Sequence, residues 1–169
     1  KDEKKMQAEA ALKISGNDEP ARVYDYNKTG SSLNKYAILL MPFYDKDENV
    51  KDFFSRLLQS KDYDVRMNTA VLMIRGKKLV ADSILMSLAA NDKYRFSLYK
   101  KLEKAGRTDR FPGRYKNQLD ITRSSLVKQN EYDKLDSIVF VSKIFTTAKE
   151  KTGFVYCYKY RVKPTDKWR

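Results

Sequence analysis

Apolar residues recur along this chain with two different periods. Between residues 50 and 126 they follow the ~3.6-residue period of a helix, and from 137 to 163 the two-residue period of a strand. The chain is therefore mixed, with helices first and strands last. Val50, Phe53, Phe54, Leu57 and Leu58 lie on one helical face, and Asn49 with Asp52 three residues later reads as its N-cap. A second helix carries Val65, Met67, Ala70, Val71 and Ile74 and stops at Gly76. A third runs from Val80 to Ala90 with Val80, Ile84, Leu85 and Leu88. Asn91 or Asp92 caps a fourth, in which Tyr94, Leu98, Leu102 and Ala105 share a face before Gly106. Short connections favour antiparallel neighbours. After a basic loop broken by Pro112 and Gly113, Tyr115, Leu119, Thr122 and Leu126 mark a fifth helix, ending near Asn130.

The strand pattern follows. Ser137–Thr147 (SIVFVSKIFTT) is β-branched and aromatic, and AKEKTG makes a turn. Phe154, Tyr156, Tyr158, Tyr160 and Val162 then alternate with Val155, Cys157, Lys159, Arg161 and Lys163. The expectation is a β-hairpin with its aromatic face half-buried and Cys157 and Lys159 on the other side. Upstream, Lys1–Ser15 reads as a weakly amphipathic helix (Met6, Ala10, Ile14), and residues 17–34 as a polar stretch. Tyr36–Phe43 (YAILLMPF) suits a buried strand or a helix end equally well. The expected fold class is α+β: an antiparallel, HEAT-like helical middle and a C-terminal hairpin that Val23–Tyr26 or Tyr36–Met41 could join as strands. One domain is expected over residues 1–169, divided as 1–48 (N-terminal helix and irregular or strand segment), 49–130 (helices) and 131–169 (hairpin). The start at Lys1 without an apolar leader core points to a removed targeting segment or a trimmed start, and KPTDKWR ends where a strand would normally continue.

Composition removes many functions. The chain has no His and a single Cys157, which excludes His-based catalysis, His metal sites, internal disulfides and Cys-cluster zinc sites. No apolar run reaches the ~18 residues of a membrane span. Asp45, Asp47, Asn49 and Asp52 imitate the opening of a Ca²⁺ loop. The turn glycine and closing glutamate are replaced by Val50 and Arg56, so capping is the better reading. Asp62 and Asp64 form an inter-helix acidic pair where capping again competes with acid–base chemistry. Cys157 lies two strand residues from Lys159, ~7 Å away, close enough to favour a thiolate, although a lone strand cysteine usually serves as a small apolar residue. Ser31, Ser32, Ser83 and Ser87 have no visible activator, and Gly76-Lys77-Lys78 lacks the rest of a phosphate loop. No catalytic residue, metal ligand or cofactor is assigned.

Charge is more informative. Residues 1–90 hold 15 basic and 13 acidic residues (+2), and 91–169 hold 20 and 9 (+11), together the net +13 of the chain. The excess gathers at Lys100, Lys101 and Lys104, at Arg107, Arg110, Arg114 and Lys116, and at Lys159, Arg161, Lys163, Lys167 and Arg169. Lys100, Lys104, Arg107, Arg110, Arg114, Lys159, Arg161 and Lys163 are the expected partner-binding residues. Clustered cations beside tyrosines suit single-stranded nucleic acid. On a strand, however, Tyr156, Tyr158 and Tyr160 point away from Lys159 and Arg161. An acidic protein or cell-envelope polymer is the first expectation, and nucleic acid the alternative.

Asp64-Val65-Arg66 followed by Ala70 and Val71, with a looser copy at Asp92, Arg95, Leu98 and Leu102, resembles the D-x-V-R-x-x-A pattern of HEAT and armadillo repeats over about residues 50–106. In that pattern the Asp caps a helix and the Ala allows close packing. The resemblance implies a binding or scaffolding surface without chemistry. The Lys/Asn/Tyr-rich composition also resembles exported proteins of Bacteroidetes-type bacteria, which places the expectation at the periplasm or cell surface.

Overall fold

The computed structural model describes residues 26–130, 135–148 and 151–162. Six helices precede two strands: α1 Tyr26–Leu40, α2 Glu48–Leu58, α3 Tyr63–Arg75, α4 Asp82–Ala90, α5 Asp92–Lys104, α6 Gln118–Gln129, β1 Leu135–Ala148 and β2 Lys151–Val162. Single 3₁₀ turns lie at Met41–Phe43, Thr108–Arg110 and Gly113–Tyr115. The fold is α+β, with the helices in the middle and the hairpin at the C-terminal side. Among the described residues no helix is long and apolar enough to cross a membrane. The chain forms two compact units divided between Leu85 and Met86, with Ala105–Arg107 returning to the first.

In the first unit α3 packs against both α1 and α2. The face of α2 is buried as its spacing requires, through Val50, Phe53, Phe54 and Leu57. The Phe54 ring meets Tyr44 and Phe53 edge-on at 5.5 and 5.7 Å, a geometry that aligns ring edges with the negative faces of neighbouring rings. From α3 come Val65, Met67, Ala70, Val71, Met73 and Ile74. Leu85 of α4 is also buried.

Several local expectations are corrected. The N-cap of α2 is Asp47, whose carboxylate accepts from the Asn49 N–H at 2.9 Å, so Asn49 already lies inside the helix. For α3 the cap is Asp62, accepting from the Asp64 and Val65 N–H groups at 2.8 and 3.3 Å, and Asp64 of the repeat-like motif sits in the first turn. Each cap satisfies helix-terminal donors that have no carbonyl partner. Residues 26–34 are helical rather than irregular, despite Gly30, Ser31 and Ser32. Tyr36–Met41 continues α1 into a 3₁₀ turn and cannot join the sheet, because burial of Ala37 and Leu40 one turn apart holds it as helix. The Lys1–Ser15 helix and residues 23–25 lie outside the described residues. The helix α3 ends at its C-cap Gly76 as expected, and the left-handed residue that follows is Lys77 (φ 58°). A Cβ at Gly76 would sit 3.1 Å from the Met41 sulfur, so the Met41 side chain would have to give by a few tenths of an ångström to admit one.

In the second unit α5 and α6 form the main packed pair. Leu98, Leu102, Phe111 and Ile121 are buried there, with Leu88 and Ala89. Tyr99 meets Phe111 edge-on at 5.3 Å. Asn91 caps α5 through the Lys93 N–H at 3.0 Å, and Asn117 caps α6 through the Asp120 N–H at 2.8 Å. The expected face of α6 is out of phase. Ile121 and Ser124 are its buried residues, while Leu119 is 38% exposed.

β1 and β2 form a two-stranded antiparallel sheet. Its register sets Ile138 opposite Tyr160, Phe140 opposite Tyr158, Lys143 opposite Tyr156 and Phe145 opposite Phe154. Paired residues share a face, so the aromatic residues of β2 lie on one side and Cys157 and Lys159 on the other, as alternation requires. Val139, Ser142 and Ile144 pair with Lys159, Cys157 and Val155 on that second side. The register shifts twice on β1, at Asp136 and at Val141, each an extra residue of the bulge kind. The expected half-burial is corrected: no described residue of either strand is buried.

The core reading gives a direct test. Phe54→Ala should cost about 3–5 kcal/mol in urea unfolding, whereas Leu119→Ala should cost under about 1 kcal/mol. Equal losses at the two positions would contradict the burial assigned to them.

Candidate functional site

The most highly determined cluster in the second unit centres on Arg95. Only 4% of this residue is exposed, so its guanidinium must find partners inside the protein. Nε donates to the Ala89 carbonyl at 2.6 Å and Nη2 to the Ala90 carbonyl at 3.2 Å. These carbonyls end α4, where helices lack intrahelical donors. Nη1 donates to the Asp120 carbonyl at 3.3 Å and lies 2.5 Å from the Asp92 carboxylate. The Tyr115 ring stands 4.8 Å from the guanidinium carbon. Asp92 also accepts from Arg123 Nε at 3.0 Å. Ser124 Oγ donates to the Asp92 carbonyl and accepts from the Phe96 N–H at 2.7 Å. Every strong group here is engaged within the protein, which makes the cluster a structural joint.

The residues expected to bind a partner are distributed more widely. Lys100 and Lys104 are exposed on α5, and Lys100 pairs with Glu103. Arg110 is half-buried in the 3₁₀ turn that packs on α5. Arg114 is exposed, its guanidinium 5.7 Å from the Tyr115 ring centre. Lys159 and Arg161 are exposed on the same face of β2, with Arg161 3.9 Å from Asp136. Arg107 belongs to the first unit, where it donates to the Ile74 carbonyl at 3.4 Å. Lys163 lies outside the described residues.

The acidic candidates have local roles. Asp47 and Asp62 are caps, and Asp45 pairs with Lys78. Among the described residues no group of three or more His, Cys, Asp or Glu side chains could hold a metal ion. Cys157 is half-buried opposite Ser142. The hydrogen bond from Lys51 to the Glu48 carboxylate raises the Lys51 ammonium above its ordinary value. Stability from this exposed pair is present below the ordinary lysine value and is lost as pH rises through the raised one.

The hairpin carries what the residue-by-residue reading missed. Phe145 is 62% and Phe154 54% exposed, and their rings meet at 5.3 Å. Lys143 Nζ lies 3.8 Å from the Phe154 ring centre, a cation over the ring face. Tyr158 ties this face to α6: its hydroxyl donates to the Leu119 carbonyl at 3.0 Å and lies 2.7 Å from Thr122 Oγ1. A signal was present in SIVFVSKIFTT, where consecutive apolar residues place hydrophobic groups on both faces of one strand.

No family model matches the chain, and no curated protein or solved structure matches it either.

Arg95→Met should destabilise the protein by about 3–5 kcal/mol, because it leaves two helix-end carbonyls without their donor and Asp92 with Arg123 alone. Arg123→Ala, which removes a half-exposed partner of the same carboxylate, should cost under about 1 kcal/mol. Tyr158→Phe should cost about 0.5–1.5 kcal/mol through loss of its hydroxyl contacts. Urea unfolding monitored by tryptophan-independent far-UV dichroism checks all three. A neutral Arg95→Met would show that the joint is dispensable.

Proposed function

We propose that the chain is a non-catalytic binding module that engages an acidic protein or acidic cell-envelope polymer, without turnover, in an exported setting. The observation carrying this reading is charge: 20 basic against 9 acidic residues in 91–169, compared with 15 against 13 before. Exposure of Lys104, Arg114 and Lys159 supports it. So does a helical middle with spacing like that of HEAT repeats, an architecture whose use is surface recognition. Clustered positive charge accelerates encounter with an acidic partner, and salt screens the effect.

A second reading is single-stranded nucleic-acid binding. What favours it is the exposed ring series Phe140, Phe145, Phe154 and Tyr160 on the face that also holds Lys143, since bases stack on exposed rings and cations follow the backbone.

Titration of labelled polyglutamate and labelled oligo-dT at ~50 and ~200 mM salt separates the two. Polyglutamate should bind, weaken as salt rises, and lose about tenfold in affinity, roughly 1.4 kcal/mol, in Lys104→Glu/Arg114→Glu/Lys159→Glu. Sub-micromolar oligo-dT binding at the higher salt, with a fall of roughly a thousandfold across the range, would replace the first reading with the second. Polyglutamate binding indifferent to salt and to the charge reversals would defeat the first outright.

A further inference from the structure

We propose that the outer edge of β1 pairs with β1 of a second copy of this chain, giving a four-stranded antiparallel sheet in the order β2-β1-β1-β2. Among the described residues the sheet has two strands, so the outer backbone edge of β1 has no strand beside it. An edge of that kind presents a row of unpaired N–H and C=O groups. Beyond the bulge at Val141 the register runs without interruption from Ser142 to Ala148, which leaves a regular segment for pairing. Each face beside it carries one large exposed apolar side chain, Ile144 at 53% on one and Phe145 at 62% on the other.

Charge identifies the occupant. From Leu135 to Ala148 the strand holds only Asp136 and Lys143. Lys143 is already engaged by the rings of its own hairpin, 3.8 Å from the Phe154 centre. Lys151, Lys159 and Arg161 all lie on β2. A strongly acidic strand therefore finds little to complement at the β1 edge, whereas a second β1 finds a nearly neutral strand like itself. In the four-stranded arrangement the cations occupy the two outer strands, as far apart as the sheet allows. Two identical strands paired antiparallel also satisfy a two-fold axis, the symmetry of most homodimers.

Of the nine large apolar side chains of the hairpin that are 42% exposed or more, five (Val139, Phe140, Val141, Ile144 and Phe145) are on β1, the strand that would meet the second copy.

Sedimentation equilibrium of the whole chain from ~1 to ~300 µM tests the proposal. The expected result is a monomer–dimer equilibrium that tightens from ~50 to ~500 mM salt, because each protomer carries +13. Ile144→Lys should weaken the dimer at least tenfold, while Leu79→Lys, at an 86% exposed position of the first unit, should leave it unchanged. Hydrogen exchange on the wild type provides a readout independent of any variant: amides within 142–148 should gain protection as concentration rises, and those of α2 and α3 should not. A monomer at every concentration and salt, a dimer that loosens with salt, or a dimer without added protection at 142–148 would each overturn the proposal. The salt trend is opposite to that for an acidic partner, so either idea can fail without the other.

Discussion

A guanidinium shut away from water sets the arrangement of the second unit. Arg95 reaches the carbonyl end of α4 with Nε and Nη2, the Asp92 carboxylate in the first turn of its own helix, and the Asp120 carbonyl of α6. Burying such a cation is costly unless nearly every donor finds an acceptor. The acceptors come from three helices, so the charge is satisfied only when all three are in place. Hydrophobic contact between Leu98, Leu102 and Ile121 tolerates small slides of one helix along another, and a planar fork of directional donors does not. The apolar residues supply most of the driving force, and Arg95 selects one arrangement among those they would allow.

The same network explains where the sequence was legible and where it was not. In α2 a large apolar side chain stands at nearly every buried position, so Val50, Phe53, Phe54 and Leu57 declare the face without tertiary information. In α6 the buried positions are Ile121 and Ser124. Serine is acceptable there because its hydroxyl donates to the Asp92 carbonyl and accepts from the Phe96 N–H. That compensation exists only after α5 and α6 have met, and hydropathy spacing cannot register it. Arg95 was hidden for a related reason: counted with its neighbours it adds to a basic surface, and only its partners on other helices make it interior. Expected surface cations such as Lys104, Arg114 and Lys159 needed no such partners, and the structure places them in solvent.

At the helix starts the difficulty was one of choice among equals. DKDEN and KDYD each offer several residues able to cap. Selection of Asp47 and Asp62 depends on which of them takes an extended backbone just before the helix, and both do. The segment YAILLMPF posed a different problem, because an apolar run of that length serves a strand or a helix alike. Packing of α1 against α3 decided it. The hairpin needed none of this, since its two-residue period and polar turn determine strand pairing locally. What alternation could not reveal is whether anything lies on either face.

Two strands alone are marginal in water, and cross-strand pairs contribute only about 0.2–1 kcal/mol each. Phe145 with Phe154, Phe140 with Tyr158 and Lys143 over Phe154 are such pairs, and none is buried. Tyr158 adds an anchor to α6 near the middle of β2, away from the Ala148 and Lys151 ends of the two strands. The segment Ser142–Ala148 is the uninterrupted stretch of the register on the far side of that anchor. A third strand laid along it would satisfy backbone groups and shield Ile144 and Phe145 in one step.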